Sequence, residues 1–311
     1  MARKKVREYD GKRLVIERLR KQSAAVSPSN PGEYAIIDKM HAIQIRDDFV
    51  QDPIEGSSMT RDESWQSYLN TLAQENPWVM ELPLVVKPDM LFGKRGKSDL
   101  VLLNADWKSA CEFIMKNLRR ELSMGGITGV IDTLIVEPFV KHSRELYLCI
   151  QSVRSGELIS FGDCGGVEIE SNWHLVKSVN ANADELQISN EGLETLLSAL
   201  PESESEQLYD LFKSFIVGCF DAFRSLDLSL LEMNPFTVSE SGLIVPLDMR
   251  VEVDSYAHFK NMLSWGDLEF PEPWGRVKLP EEKFVQSLDD KSGASLKLSV
   301  LNANGRIWTM V

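Results

Sequence analysis

Redox-active and metal-binding side chains are scarce in this sequence. It holds four cysteines and four histidines in 311 residues. Cys111, Cys149, Cys164 and Cys219 are widely spaced, form no CxxC pair and sit in apolar surroundings. Four reduced, mostly buried thiols are therefore expected. His142 and His174, the histidines nearest to cysteines, lack the spacing of zinc ligands, which argues against a zinc site. No apolar run is long enough to span a membrane, and residues 1–20 are basic and polar with no signal-peptide core. No membrane partner is expected, and the cytosol is the expected compartment. Positive charge is also short: 34 Lys and Arg against 47 Asp and Glu give a net charge of -13. Such a surface repels a phosphate backbone, so nucleic acid is not expected as a partner. The GxxxxGK[ST] spacing of a Walker A loop is missing as well.

What is present is the composition of a globular protein, 43% hydrophobic and 26% charged, long enough for one large or two ordinary domains. One stretch organises the rest, LSLLEMNPFTVSESGLIVPLDM at 228–249. Its apolar runs, 228–233 and 243–247, flank a Ser-Glu-Ser-Gly turn and predict a β-hairpin of buried strands. Each run ends in oxygen-bearing side chains, Glu232 and Asn234 on the first and Asp248 on the second. Pro235 cannot donate a ladder hydrogen bond, so the first strand is expected to bend or fray after Asn234. An amide oxygen beside a carboxylate suits Mg²⁺, which takes one or two such ligands and completes its shell with water and phosphate. The same residues also suit a purely structural role, Asp248 as a strand end and Asn234–Pro235 as a turn starter.

A second stretch, KPDMLFGKRGK at 87–97, follows a strand-like run at 82–86. Glycines permit close approach, Arg forks onto phosphate and Lys supplies a point charge, so the segment reads as an anion cradle. Taken alone it is equally a solvated basic turn. Paired with the hairpin, it points to a nucleoside triphosphate held between a basic loop and a metal.

Along the chain, 9–21 predicts a helix with Asp10 as N-cap and Leu14, Ile16 and Leu19 facing a core. The turn-rich clusters SPSNPGE and DPIEGSS predict an irregular insertion over 22–61. Helices are expected at 65–74 and, capped by Asp106, up to Glu121. Strands are expected at 82–86, 99–103 and 158–161, with 133–140 and 145–153 as a pair. Helices at 191–200 and 204–226 follow, the second carrying Leu208, Leu211, Phe212, Phe215, Cys219 and Phe223 at core spacing. A further helix is expected over 255–263, then a Pro-rich linker and final strands at 295–301 and 306–310. The class is α/β, mixed α+β, without a strict βαβ rhythm.

With these elements placed, the sequence resembles the ATP-grasp subunits of acyl-CoA ligases, and within them the ATP-citrate lyase family. The resemblance rests on KPDMLFGKRGK at 87, LIVEPFV at 134, CGGVEIE at 164, LEMNPF at 231 and PLDM at 246. It continues in WGDLEFPEPWGR at 265, LDDKSGASLKL at 288 and LNANGRIWTMV at 301. It implies an ATP-grasp domain over 1–270, followed at 271–311 by a linker and the truncated start of a Rossmann-like citrate-binding domain. By resemblance, Lys87, Arg95 and Gly96 meet the ATP phosphates, and 137–140 forms the adenine hinge with Pro138 and Val140 at the base. Glu145 meets the ribose hydroxyls, and Asn234 and Asp248 hold Mg²⁺ with Asp289 and Ser292 as further candidates. No histidine is given a catalytic role; His142 and His258 are read as surface residues, because the family's phosphorylated histidine belongs to a portion not contained here.

The implied reaction of the complete assembly takes citrate, CoA and ATP to acetyl-CoA, oxaloacetate, ADP and phosphate, supplying cytosolic acetyl-CoA for lipid synthesis. A citrate/CoA-ligase-type partner chain or a missing C-terminal region is implied, in a hetero-oligomer or homo-oligomer that also binds CoA and citrate. Two alternatives stand beside this reading: the β-subunit of another acid–CoA ligase such as succinyl-CoA synthetase, and a non-catalytic ATP-grasp assembly subunit.

Overall fold

In the computed structural model, which describes residues 3–26, 36–50, 60–92, 99–185, 187–292 and 296–309, two antiparallel sheets each carry their own helices. The larger has seven strands. Its path runs β1 (Arg3–Lys5), β13 (Met249–Asp254), β11 (Leu228–Val238), β8 (Leu146–Val153), β9 (Gly156–Gly162) and β10 (Lys177–Asn182), with β12 (Ile244–Pro246) paired to β11. Helices α1 (Glu8–Val26), α5 (Asn190–Leu197) and α6 (Glu206–Ser225) close one core with this sheet. The predicted stripe on α6 explains why: Phe212, Phe215, Cys219 and Phe223 are buried against Leu148, Phe161 and Phe236. Burying each phenylalanine stabilises by about 1.5–3 kcal/mol before entropy is counted. Ser205 accepts the N–H of Leu208 and caps the helix.

The smaller sheet is β2 (Ile43–Arg46), β7 (Thr133–Pro138), β3 (Leu84–Pro88) and β4 (Leu102–Ala105), in that order. Helices α2 (Arg61–Glu75), α3 (Trp78–Glu81) and α4 (Trp107–Asn117) supply the rest of its core, through Trp65, Leu69, Val79, Trp107 and Ile114. Thr60 and Glu63 form a capping box for α2, and Asp106 caps α4 as expected. A separate hairpin joins β5 (Glu121–Met124) to β6 (Ile127–Val130). Beyond the sheets come α7 (His258–Trp265) and α8 (Pro280–Ser292). Among the described residues no helix is long and apolar enough to cross a membrane.

Several expectations are corrected. The segments 133–140 and 145–153 do not pair: β7 sits between β2 and β3, whereas β8 sits between β11 and β9. Both strands are apolar on both faces, so pattern alone cannot say which neighbour each takes. The 22–61 segment is not irregular throughout, since it contains the end of α1, buried Ile37 and the strand β2. Its stretches 27–35 and 51–59 lie outside the described residues. The strand expected at 99–103 begins later, at Leu102, because Asp99 takes a left-handed φ of 53°. Helix α4 stops at Asn117 rather than Glu121, as Arg119 takes a φ of 63°.

The hairpin at β11–β12 forms with Phe236 opposite Pro246 and Val238 opposite Ile244. β11 does not end at Asn234. It bends, with an irregular register against β8 between Met233 and Phe236, and runs on to Val238. Strands expected at 295–301 and 306–310 are absent from the described part, 296–309; a helix, α8, precedes it instead. Pro280 opens that helix with Glu281 and Glu282 in its first turn, a favourable N-terminal pattern. Leu301, Ile307 and Trp308 are exposed, and among the described residues they pair with none of the sheets.

Candidate functional site

A cleft of about 1180 Å³ opens where the two sheets meet, and residues from both line it. From the smaller sheet come Lys87 on β3 and Glu137 and Pro138 at the end of β7, followed by Phe139, Val140 and His142. The larger sheet contributes Glu232 and Asn234 on β11, Asp248 comes from the link between β12 and β13, and α1 adds Glu8 and Lys12.

Lys87 belongs to a strand rather than to the basic loop, paired across the sheet with Ile135. Its ammonium donates to Glu8 Oε1 at 2.6 Å and to the carbonyl of Leu247 at 2.6 Å, and lies 3.2 Å from Glu137 Oε2. Lys12 meets the same acceptors: Glu137 Oε1 at 2.7 Å, Glu8 Oε1 at 2.9 Å and the Leu247 carbonyl at 3.2 Å. The buried Glu8 carboxylate and the partly buried one of Glu137 thus face two buried ammoniums at the floor of the cleft. Burial of so much charge is tolerated because each charged group has an oppositely charged group within 3.2 Å.

Past Pro138 the chain crosses from one sheet to the other. The N–H of Phe139 donates to the Pro83 carbonyl at 2.7 Å, and His142 bridges Val140 and Glu145. Its Nδ1 lies 2.7 Å from the Val140 carbonyl and its Nε2 3.2 Å from Glu145 Oε1. His142 is exposed, as expected, yet it faces the cleft rather than bulk surface. The Glu145 carboxylate lies against Gly166, whose φ of 79° and lack of a side chain allow that approach. The Gly166 N–H in turn donates to Asn234 Oδ1 at 2.8 Å. Asn234 donates its own N–H to the Asp248 carbonyl at 3.0 Å, so the hairpin does bring these two residues together.

Asn234 offers a second oxygen lone pair and Asp248 a carboxylate, a hard oxygen pair that fits Mg²⁺. Among the described residues no three His, Cys, Asp or Glu side chains converge as a metal site. A cation here would take its remaining ligands from phosphate and water.

Glu232 lies between this cleft and an adjoining pocket of about 430 Å³ lined also by Tyr147, Cys149 and Arg250. Burial raises the Glu232 carboxyl above its ordinary range, opposed by Arg250 and reinforced by Asp248 and Glu170. The Tyr147 hydroxyl donates to Glu232 Oε1 at 3.3 Å. Burial also pushes the Cys149 thiol up to about 12, which leaves it an inert protonated group.

Of the residues singled out from the sequence, Lys87, Pro138, Val140, Glu145, Asn234 and Asp248 line this one cleft. Arg95, Gly96 and the side chain of Ser292 lie outside the described residues. Asp289 is not brought to the cleft: it stands on α8, where its Oδ1 accepts the Leu296 N–H at 2.9 Å. Sequence reasoning missed Glu8, Lys12 and the carboxylate of Glu137. The i,i+4 spacing of Glu8 and Lys12 was a readable signal, but their partners are far away in the chain.

Comparison with known proteins follows the same lines. A family model described as the ATP-citrate synthase ATP-grasp domain matches residues 2–265, and one described as ATP citrate lyase citrate-binding matches 276–311. The chain is similar to ATP-citrate synthase alpha chain protein 2 of Arabidopsis thaliana, 44% identical over 311 residues, covering 100% of this chain and 65% of that protein. With human ATP-citrate synthase it shares 37% identity over 264 residues, 84% of this chain and 23% of the relative. Its fold matches the structure of ATP citrate lyase from Methanothrix soehngenii in complex with citrate and coenzyme A. That match has a TM-score of 0.74 and 34% identity, and covers 99% of this chain and 65% of the other. The chain thus spans about 65% of the length of its plant relatives.

Proposed function

The chain belongs to the ATP-citrate synthase family through its ATP-grasp domain, and from that premise we propose that its cleft binds MgATP for citrate cleavage. The observation that carries this reading is the convergence of Lys87, Pro138, Val140, Glu145, Asn234 and Asp248 on one cleft from two sheets. Pro138 and Val140 flank the base, and Glu145 accepts hydrogen bonds from the ribose hydroxyls. Lys87 meets the phosphates, joined by Arg95 and Gly96 from the basic loop. Asn234 and Asp248 hold Mg²⁺, which supplies charge stabilisation to the phosphates when bound. Ser292 stays in the proposal as a further metal ligand on the strength of the sequence alone, whereas Asp289, which stands away from the cleft on α8, leaves it.

In the complete assembly the reaction is that of citrate, CoA and ATP giving acetyl-CoA, oxaloacetate, ADP and phosphate. This chain's share is to hold the nucleotide and present its terminal phosphoryl group. Such transfer asks for positioning and electrostatic stabilisation more than for covalent chemistry, and a cleft lined by fixed lysine and carboxylate groups supplies both. The proposal extends to a partner chain or further region that binds citrate and CoA, to an oligomeric assembly, and to cytosolic acetyl-CoA supply for lipid synthesis. The succinyl-CoA synthetase alternative gains no support, since the family models and the relatives described above are those of the citrate enzyme.

Calorimetry with a non-hydrolysable ATP analogue and Mg²⁺ tests the reading. Saturable heat from the folded chain is expected, and its absence overturns the assignment of the cleft.

A further inference from the structure

Lys12 is the least explained charge in the cleft. It is 1% exposed, rises from the second turn of α1, and commits its ammonium to Glu137, Glu8 and the Leu247 carbonyl. Lys87 reaches the same three partners from β3. Two ammoniums sharing one set of oxygens repel each other, and each weakens the hold of the carboxylates on the other.

The two lysines differ in what else they can reach. Lys87 stands near the end of β3, shortly before Met90, Leu91 and Phe92, which also line the cleft, and is 6% exposed against 1% for Lys12. Lys12 is tied at once to β7 through Glu137 and to the residue preceding Asp248 through Leu247. An arriving triphosphate can draw the Lys87 ammonium away while Lys12 stays paired with Glu8 and Glu137.

We propose that Lys12 is a positioning residue that acts as the fixed counter-cation of Glu8 and Glu137, releasing Lys87 to bind the nucleotide's phosphates. The inference rests on the reading of Lys87 as a phosphate ligand given above. Without Lys12, both carboxylates hold Lys87 more strongly, so it is held back from phosphate while less of their negative charge is offset before the triphosphate. The penalty falls on phosphate binding, because the Lys12 ammonium reaches the hinge segment only through the Glu137 carboxylate and is bonded to none of Pro138, Val140 and Glu145, the residues assigned to base and ribose.

The test measures two affinities for each variant by calorimetry: for a non-hydrolysable ATP analogue with Mg²⁺, and for adenosine, by displacement where heats are small. Lys87→Met comes first and is expected to weaken the analogue about tenfold while leaving adenosine within about twofold. Lys12→Met is expected to do the same, also by about tenfold. Lys12→Arg keeps the charge and should retain most of the affinity. The double variant Lys12→Met with Glu8→Gln removes a cation and a carboxylate together, and should return the analogue to within about threefold of the parent.

If Lys87→Met leaves the analogue unaffected, the phosphate reading of Lys87 fails and this inference with it. Where Lys87→Met is selective but Lys12→Met is not, the inference alone fails. Equal losses for analogue and adenosine in Lys12→Met, or no recovery in the double variant, also overturn it and make Lys12 a purely structural ion. Should Lys12→Met not fold, Glu8→Gln is compared with the double variant instead. Glu8→Gln must then bind the analogue about threefold more tightly than the double variant, at equal adenosine affinity, for the inference to stand.

Discussion

Asp89 caps a helix that begins 81 residues before it: its Oδ1 accepts the backbone N–H of Glu8 at 2.6 Å. Oδ2 takes the N–H of Tyr9 at 3.3 Å and the amide of Gln44 at 3.1 Å. The first turn of α1, which holds Glu8 and Lys12 toward the cleft, is therefore set by a side chain just past the end of β3. Asp10, the expected cap, lies inside the helix and pairs with Arg13.

Asp89→Ala should destabilise the chain by about 2 kcal/mol, the upper end of the cost of losing an N-cap, because the side chain is buried and serves several donors. Asp89→Asn should keep most of that stability, since its amide oxygen still accepts. Urea unfolding of both variants measures the difference. An Ala variant as stable as the parent contradicts the remote cap.

Asp248→Asn removes a charge at nearly constant shape. The Mg²⁺ concentration needed for half-maximal analogue binding should rise about tenfold, equivalent to ~1.4 kcal/mol. Glu240→Gln, an equal loss of charge at the exposed tip of the same hairpin, should leave it unchanged. Equal shifts in the two variants point to a general field effect rather than ligation.

At Gly166 an added methyl would run into the Glu145 carboxylate, and φ is 79°. Gly166→Ala is expected to cost about 1–2 kcal/mol of stability from the left-handed backbone. It should also displace Glu145, flattening the preference for ATP over 2′-deoxy-ATP that a carboxylate on the ribose hydroxyls creates. Competition binding with the two nucleotides gives the ratio; an unchanged ratio removes Glu145 from the ribose site.

Glu232 gives a pH dependence with a definite sign. Its folded-state carboxyl is raised by burial above the ordinary value of 4.5, so between those two values the native state binds more protons than the unfolded one. The contribution to stability is fully present below the unfolded value and is lost as pH rises through the raised one. Glu232→Gln should remove that downward slope and be relatively more stable than the parent at neutral pH. Urea melts across pH 4–7 check it, and parallel pH profiles of parent and variant count against the assignment.

Some of this protein was legible without a fold. The Ser-Glu-Ser-Gly turn and its flanking apolar runs announced the β11–β12 hairpin, and Asp106 and the apolar stripe on α6 announced their helices. Gly125–Gly126, with φ values of 59° and 80°, was an equally plain turn signal that the expectations passed over. Lys87 was recognised for its chemistry but misplaced in a loop, because Lys at the end of a short strand looks the same as Lys at the start of a basic run.

What the sequence determined by itself lies within a few residues of its cause: caps such as Asp106, the hairpin turn, and helix faces set by a 3.6-residue period. Those interactions form before distant parts of the chain meet. Tertiary structure alone decided that β7 and β8 join different sheets, that Asp89 caps α1, and that Glu8, Lys12, Lys87 and Glu137 form one balanced cluster. A strand buried on both faces carries no mark of which neighbour it will pair with. A buried charge carries no mark of its counter-ion either, because its pairing depends on which side chains the completed core leaves within reach and sheltered from water.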